Sequence, residues 1–225
     1  MNGTDSRLSV GSLILVPAII TLAITVLRLI GELQNWSPLL FGKAAGGGFA
    51  LVGISWLPII FGPYFAMKLA GAGEGPVSAG KAIGLTVAGL VVYFVGGFAF
   101  GIGLQKHIMP LVLVGMVIEL VSAFIPRIGW RSLGNVLLAY AFAARIPVVL
   151  VMYIAMSANG GQGWGTHYDA VTPGFTVTSF AQKFVDLAVI PQMSIWIGWT
   201  AVIGALFGSI AFAIFGRKQS VPAAA

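Results

Sequence analysis

Cysteine is absent from the chain, histidine occurs twice, and Asp and Glu together number six. Without cysteine there is no disulfide, no thiolate metal site, no iron–sulfur cluster and no cysteine nucleophile. Neither histidine lies within an apolar segment, so bis-histidine haem ligation across helices is not expected, and no segment carries the paired histidines of a membrane cytochrome. No phosphate-binding loop, GxSxG elbow, HExxH helix or dinucleotide glycine pattern occurs in a usable context. The paired-carboxylate motif that holds a divalent metal in lipid phosphotransferases is missing too. No cofactor and no metal is therefore expected. Charge is scarce altogether: 8% of 225 residues are charged, against ~25% in a soluble domain.

What is there is apolar. Hydrophobic residues make up 58% of the chain, and the mean hydropathy is +0.99. Such a composition cannot present an ordinary surface to water, so the expected class is an all-α integral membrane protein with the bilayer as its main partner. Six apolar segments are long enough to cross, at roughly 10–33, 49–69, 82–104, 108–125, 132–157 and 190–215. The first is too long for a signal peptide and lacks a small-residue cleavage site, so it reads as a retained helix. Several spans carry helix breakers. Pro58 and Pro63, five residues apart, predict a bent or partly unwound second span, and Pro147 predicts a hinge or kink in the fifth. Glycines at 84, 89, 96, 97, 101 and 103 suit the third span to close interhelical packing.

Six crossings put both termini on one side. Arg7, Lys68, Lys81, Arg127, Arg131, Arg217 and Lys218 fall there; Lys43, Lys106 and Lys183 fall opposite, with Arg28 at the border. This bias places the 1–9 and 217–225 ends in the cytoplasm and the 158–189 segment outside. It also explains the net charge of +6 without nucleic acid. Within 158–189, Ser179 and Gln182 have the form of a capping box. Phe180, Phe184 and Leu187 then share one face, which predicts a short amphipathic helix on the outer membrane surface, either anchoring the sixth span or lying as a lid over a cavity.

Two ionisable residues fall well inside the hydrocarbon, Glu119 in the fourth span and Arg145 in the fifth. A charge at that depth costs at least ~2.5–3.5 kcal/mol, so it wants a partner or water. The two spans are consecutive and joined by a short turn, which makes them expected neighbours. Their backbone heights differ by roughly 9 Å, a gap that long side chains close in large part. The pair is expected either as a substrate, ion or proton site near mid-membrane, or as a buried packing device. Arg28 and Glu32, spaced i,i+4, are expected to pair locally. A second polar concentration is WGTHYD, containing His167 and Asp169. With His107 on the same expected side, a shared outer site is geometrically allowed, although a metal wants three or four ligands. The alternative is an ordered surface loop.

The stretches AFAARIPVVLVMYIAM (Ala141–Met156), GWGTHYDAVTPGF (Gly163–Phe175) and LLFGKAAGGGFALVGISWLPIIFGPYFAMKL resemble those of a family of bacterial inner-membrane proteins with no assigned activity. The resemblance implies a recurring unit over most of the chain and a bacterial inner-membrane location. It gives weight to Arg145, Pro147, His167 and Asp169, and it transfers no function. Three functions fit the residues. The first is a small transporter or channel-like protein. The second is a non-catalytic subunit or assembly factor of a larger membrane complex, with homo-oligomerisation as a further form of association. The third is an enzyme acting at the outer face through His167 and Asp169, for which the acid–base inventory is thin.

Overall fold

Ser9 starts the first helix. Its hydroxyl accepts the Ser12 amide at 3.1 Å and opens α1 (Val10–Leu33). The computed structural model describes residues 8–47, 50–173 and 175–216. The expected starts of the chain and of the second span, and the basic end at Arg217 and Lys218, lie outside the described residues. The helices that follow are α2 (Leu57–Gly71), α3 (Ala79–Gln105), α4 (Met109–Ser122), the single turn α5 (Pro126–Gly129) and α6 (Arg131–Ser157). After a polar loop come α7 (Phe180–Phe184), a π-helical turn (Val185–Val189), α8 (Ile190–Met193) and α9 (Ile195–Phe215). No strand occurs among the described residues. The chain is an all-α protein of membrane composition. Five helical stretches, Val10–Leu33, Ala79–Gln105, Met109–Gly129, Arg131–Gly161 and Phe180–Phe215, are long and apolar enough to cross a bilayer, while Leu57–Gly71 is apolar but short.

That short helix departs from the expected 49–69 span. α2 begins only at Leu57, and Pro58 sits in its first turn rather than at a hinge. The reason is local: a proline has no N–H to lose there and its φ is already helical. Fifteen residues rise only about 22 Å, short of a hydrocarbon core of ~30 Å. Residues 50–56 run as bends and turns. Their polar groups are met from outside the segment: the Leu51 and Val52 amides donate to the Leu39 and Leu40 carbonyls at 3.1 and 3.0 Å. Trp199 Nε1 donates to the Ser55 carbonyl at 2.9 Å. Pro63 and Pro147 lie inside continuous helices.

α9 is the pillar of the bundle. It packs on α2, α3, α4 and α6. Its approach to α2 is backbone to backbone. A Cβ on Gly62 would collide with the Gly204 carbonyl, and one on Gly208 would stand 2.7 Å from the Gly62 carbonyl. The expected small-residue packing of the third span is realised in part: Gly96 meets Gly115 and Gly103 meets Val112 on α4, whereas Gly84 and Gly101 face open space. Around Tyr140, whose hydroxyl shares a 2.8 Å hydrogen bond with Thr21 of α1, a buried cluster of Phe61, Phe65, Leu133 and Leu137 joins α2 to α6. A second cluster, Val148, Met152, Met156, Tyr168 and Ala188, closes the end of the bundle that carries the 158–179 loop. The capping serine holds, with Gln182 N–H donating to Ser179 Oγ at 3.1 Å. The helix it starts is continuous with the elements that follow. α7 runs on through the π turn into α8, and Phe184 and Leu187 pack on the second cluster.

Candidate functional site

Arg145 lies near the middle of α6 and faces a cavity of about 660 Å³. Its neighbours define the site. The guanidinium carbon stands 4.7 Å from the centre of the Trp196 ring, a cation–π distance. Nη1 donates to Gln192 Oε1 across a long 3.4 Å. Nε has no hydrogen-bond partner among the described residues, although the side chain is only 3% exposed. Gln192 is itself set by a weak 3.8 Å contact from Nε2 to Met152 Sδ. Two irregular backbones supply the wall opposite α6. One is the unwound stretch, through Gly53, Ile54 and Ser55; the other is the region of the α8–α9 break, through Pro191, Gln192, Ile195 and Trp196. Non-helical backbone at membrane depth is tolerated where protein buries it or where it lines a cavity.

The expected Glu119–Arg145 pair does not form among the described residues. α4 packs on α3 and α9 instead of α6. The wedge is α9, whose Gly198 sits against the Glu119 carbonyl. Glu119 is buried between α3 and α4, with its carboxyl 3.3 Å from a Cβ placed on Gly97, and its Oε2 finds no partner among the described residues. It is not part of the cavity wall.

The outer triplet separates as well. His107 ends the α3–α4 turn in a left-handed conformation, φ 54°, and lines the cavity from an exposed position. His167 lines the same cavity. Asp169 turns away into its own loop, where it accepts the Gly165 and Thr166 amides at 2.9 Å each and the Thr166 hydroxyl at 2.5 Å. This tight loop requires its glycines: Gly163 and Gly165 have φ of 83° and 69°, and a Cβ on Gly163 would strike the Asp169 carboxylate. Among the described residues no three His, Asp or Glu side chains gather closely enough to hold a metal ion.

His167 has a different partner, one the sequence does not announce. Glu32 of α1, fully buried, accepts the His167 amide at 2.7 Å and the ring Nδ1–H at 2.5 Å. It also accepts Arg28 Nε at 2.8 Å, the expected i,i+4 pair. Arg28 Nη2 then donates to the Gly42 and Gly47 carbonyls at 3.0 and 2.7 Å. One buried ion pair thus ties α1 to both polar connections that border the cavity. Burial holds the His167 imidazole below its ordinary pKa, and the positive charge of Arg28 acts the same way against the opposing pull of Glu32. A neutral ring that donates from Nδ1 leaves Nε2 as an acceptor. Among the described residues, the cavity therefore carries one arginine balanced in place, Arg28, and one that is not, Arg145.

The cavity mouth lies at this end of the bundle. Thr172, Pro173, Thr176 and His107 belong to its lining and are exposed. Leu104, Met109 and Leu113 of α3 and α4 also line it and are 43%, 58% and 49% exposed, so part of the rim is apolar. No family model matches the chain, and no curated protein and no solved structure matches it.

Proposed function

We propose that this chain is a small carrier or channel-like protein of a bacterial inner membrane. It crosses six times with both termini cytoplasmic, and its cavity holds the solute site at Arg145. The six crossings count residues 50–71 as one span, part unwound and part helix. The orientation follows the excess of Arg and Lys on the terminal side. The observation that carries the function is the state of Arg145: buried at mid-helix, without a carboxylate among the described residues, and facing a cavity. A guanidinium kept only for packing would be expected to have a counter-charge, because an unanswered buried charge is costly. Two irregular backbone segments on the cavity wall fit the same reading, since broken helices beside a mid-membrane site are a recurring transporter device.

The test needs no substrate. The natural chain has no cysteine, so Met152→Cys on the cavity wall gives a single thiol. In oriented vesicles a membrane-impermeant thiol reagent is added from one face or the other. Transport predicts modification from both faces, with the balance shifting with conditions if the protein is a carrier. Modification from one face under every condition contradicts transport.

A further inference from the structure

We propose that Arg145 is the headgroup site for an amphipathic monoanion, a singly charged oxyanion carried on an apolar body. The inference rests on reading the cavity as the ligand site. Three features of the wall lead to it.

The first is the donor set. Arg145 is only 3% exposed, lines the cavity and keeps an unpartnered Nε–H among the described residues. Its one side-chain hydrogen bond among the described residues, to Gln192, is long. A planar fork of N–H donors of this kind matches an oxyanion through two parallel hydrogen bonds. Trp196 supports the guanidinium from one face and does not use up those donors.

The second is the charge count. Arg28 is neutralised by Glu32. Apart from His107 and His167, the remaining ionic side chain on the wall is Asp186, which forms no ion pair with Arg145 among the described residues. One free arginine on the wall among the described residues suits one negative charge. Asp186, on the same wall, adds a negative charge that opposes a second one on the ligand.

The third is the rest of the lining. Val112, Met116, Val148 and Met152 present an apolar surface, and methionine adapts its shape to varied apolar bodies. The exposed apolar rim at Leu104, Met109 and Leu113 gives a tail a route that stays out of water. Such a ligand has two sources, an organic carboxylate from solution or an acidic phospholipid from the bilayer. Both offer one charged oxyanion on an apolar body.

The experiment places the full chain in phosphatidylcholine nanodiscs and measures saturable binding of radiolabelled dodecanoate above empty discs. Wild type binds. Arg145→Gln weakens binding roughly tenfold to a hundredfold, the usual scale for losing hydrogen bonds to a charged group. Arg145→Lys recovers part of it, and Glu119→Gln, away from the cavity, leaves it unchanged. Dodecanol does not compete. Dodecyl phosphate at a pH where it is doubly charged competes poorly and gains in Asp186→Asn. If discs containing phosphatidylglycerol suppress dodecanoate binding in wild type, the bilayer supplies the ligand; if they do not, solution does. The proposal is overturned if no saturable binding occurs, if Arg145→Gln binds like wild type, if dodecanol competes as well as dodecanoate, or if the dianion binds as tightly as the monoanion. Binding with thiol modification from one face only would instead defeat the transport reading and leave this one standing.

Discussion

The guanidinium of Arg145 lies 4.7 Å from the centre of the Trp196 ring, and among the described residues no carboxylate answers its charge. Eighteen positions from the start of α1, by contrast, Arg28 of the same bundle is closed by Glu32 at 2.8 Å and by two backbone carbonyls. One arginine is built into the fold and the other is held against a cavity. Arg145→Met is expected to leave thermal stability in detergent unchanged or raised, because it removes an unbalanced buried charge. Arg28→Met is expected to cost ~3–5 kcal/mol, because it leaves Glu32 buried alone. Paired melting curves of the two variants check this contrast.

Glu32 is the side-chain acceptor that holds the 163–169 loop to α1, beside the Thr25 carbonyl, which accepts the Tyr168 hydroxyl at 3.1 Å. Through Arg28 it also steadies the segment around Gly42 and Gly47. Glu32→Ala is expected to raise amide exchange in both connections together. Asp169→Ala removes only the loop's internal bonds, so exchange should rise in 163–169 and stay unchanged in 42–47. Equal effects of the two variants on both segments would contradict this division.

The pH response follows from His167. Burial sets its folded pKa below the ordinary value, which is ~6.5 in the unfolded chain. Between those two values the unfolded state binds more protons. The contribution of His167 to stability is therefore complete above about pH 6.5 and is lost as the pH falls through that value toward the folded pKa. The wild-type melting temperature should drop on acidification below about 6.5 by more than that of His167→Gln. A difference curve that rises on acidification would reverse the sign of the argument.

Close packing gives a third contrast. Gly62→Ala drives a methyl into the Gly204 carbonyl and is expected to cost ~1–3 kcal/mol by forcing α2 and α9 apart. Gly84→Ala, with nothing within 4 Å of the new carbon, should be neutral or stabilising by up to ~1 kcal/mol. Denaturation of both variants in the same detergent measures the pair.

Much of the fold is legible in the residues. Five of the six apolar runs of bilayer length, the serine cap at Ser179, and the i,i+4 spacing of Arg28 and Glu32 all act locally, and these appear as expected. The unwound stretch before α2 is half legible. Pro58 and Pro63 signal disruption, but Pro58 marks a helix start where a hinge is expected. The site is less so. Glu119 and Arg145 are adjacent by chain order, yet α9 enters between their helices, and nothing in spacing signals a helix arriving from the far end of the sequence. The Glu32–His167 bond spans 135 residues. Neither partner carries a local mark of the other. Arg145 itself stands out from sequence alone, because a charge inside an apolar run needs no partner to be visible.

The most direct measurement is the rate at which a water-borne, membrane-impermeant thiol reagent modifies Val148→Cys in sealed membranes. Val91→Cys serves as the reference. Val148 follows Arg145 by three residues on α6 and lines the cavity, whereas Val91 of α3 is 58% exposed on the outside of the bundle and lines no part of it. If water reaches Arg145, Val148→Cys reacts readily while Val91→Cys, facing lipid, does not. If Val148→Cys is as unreactive as Val91→Cys from both faces, Arg145 is sealed from water, and the cavity is no site for a transported water-borne solute.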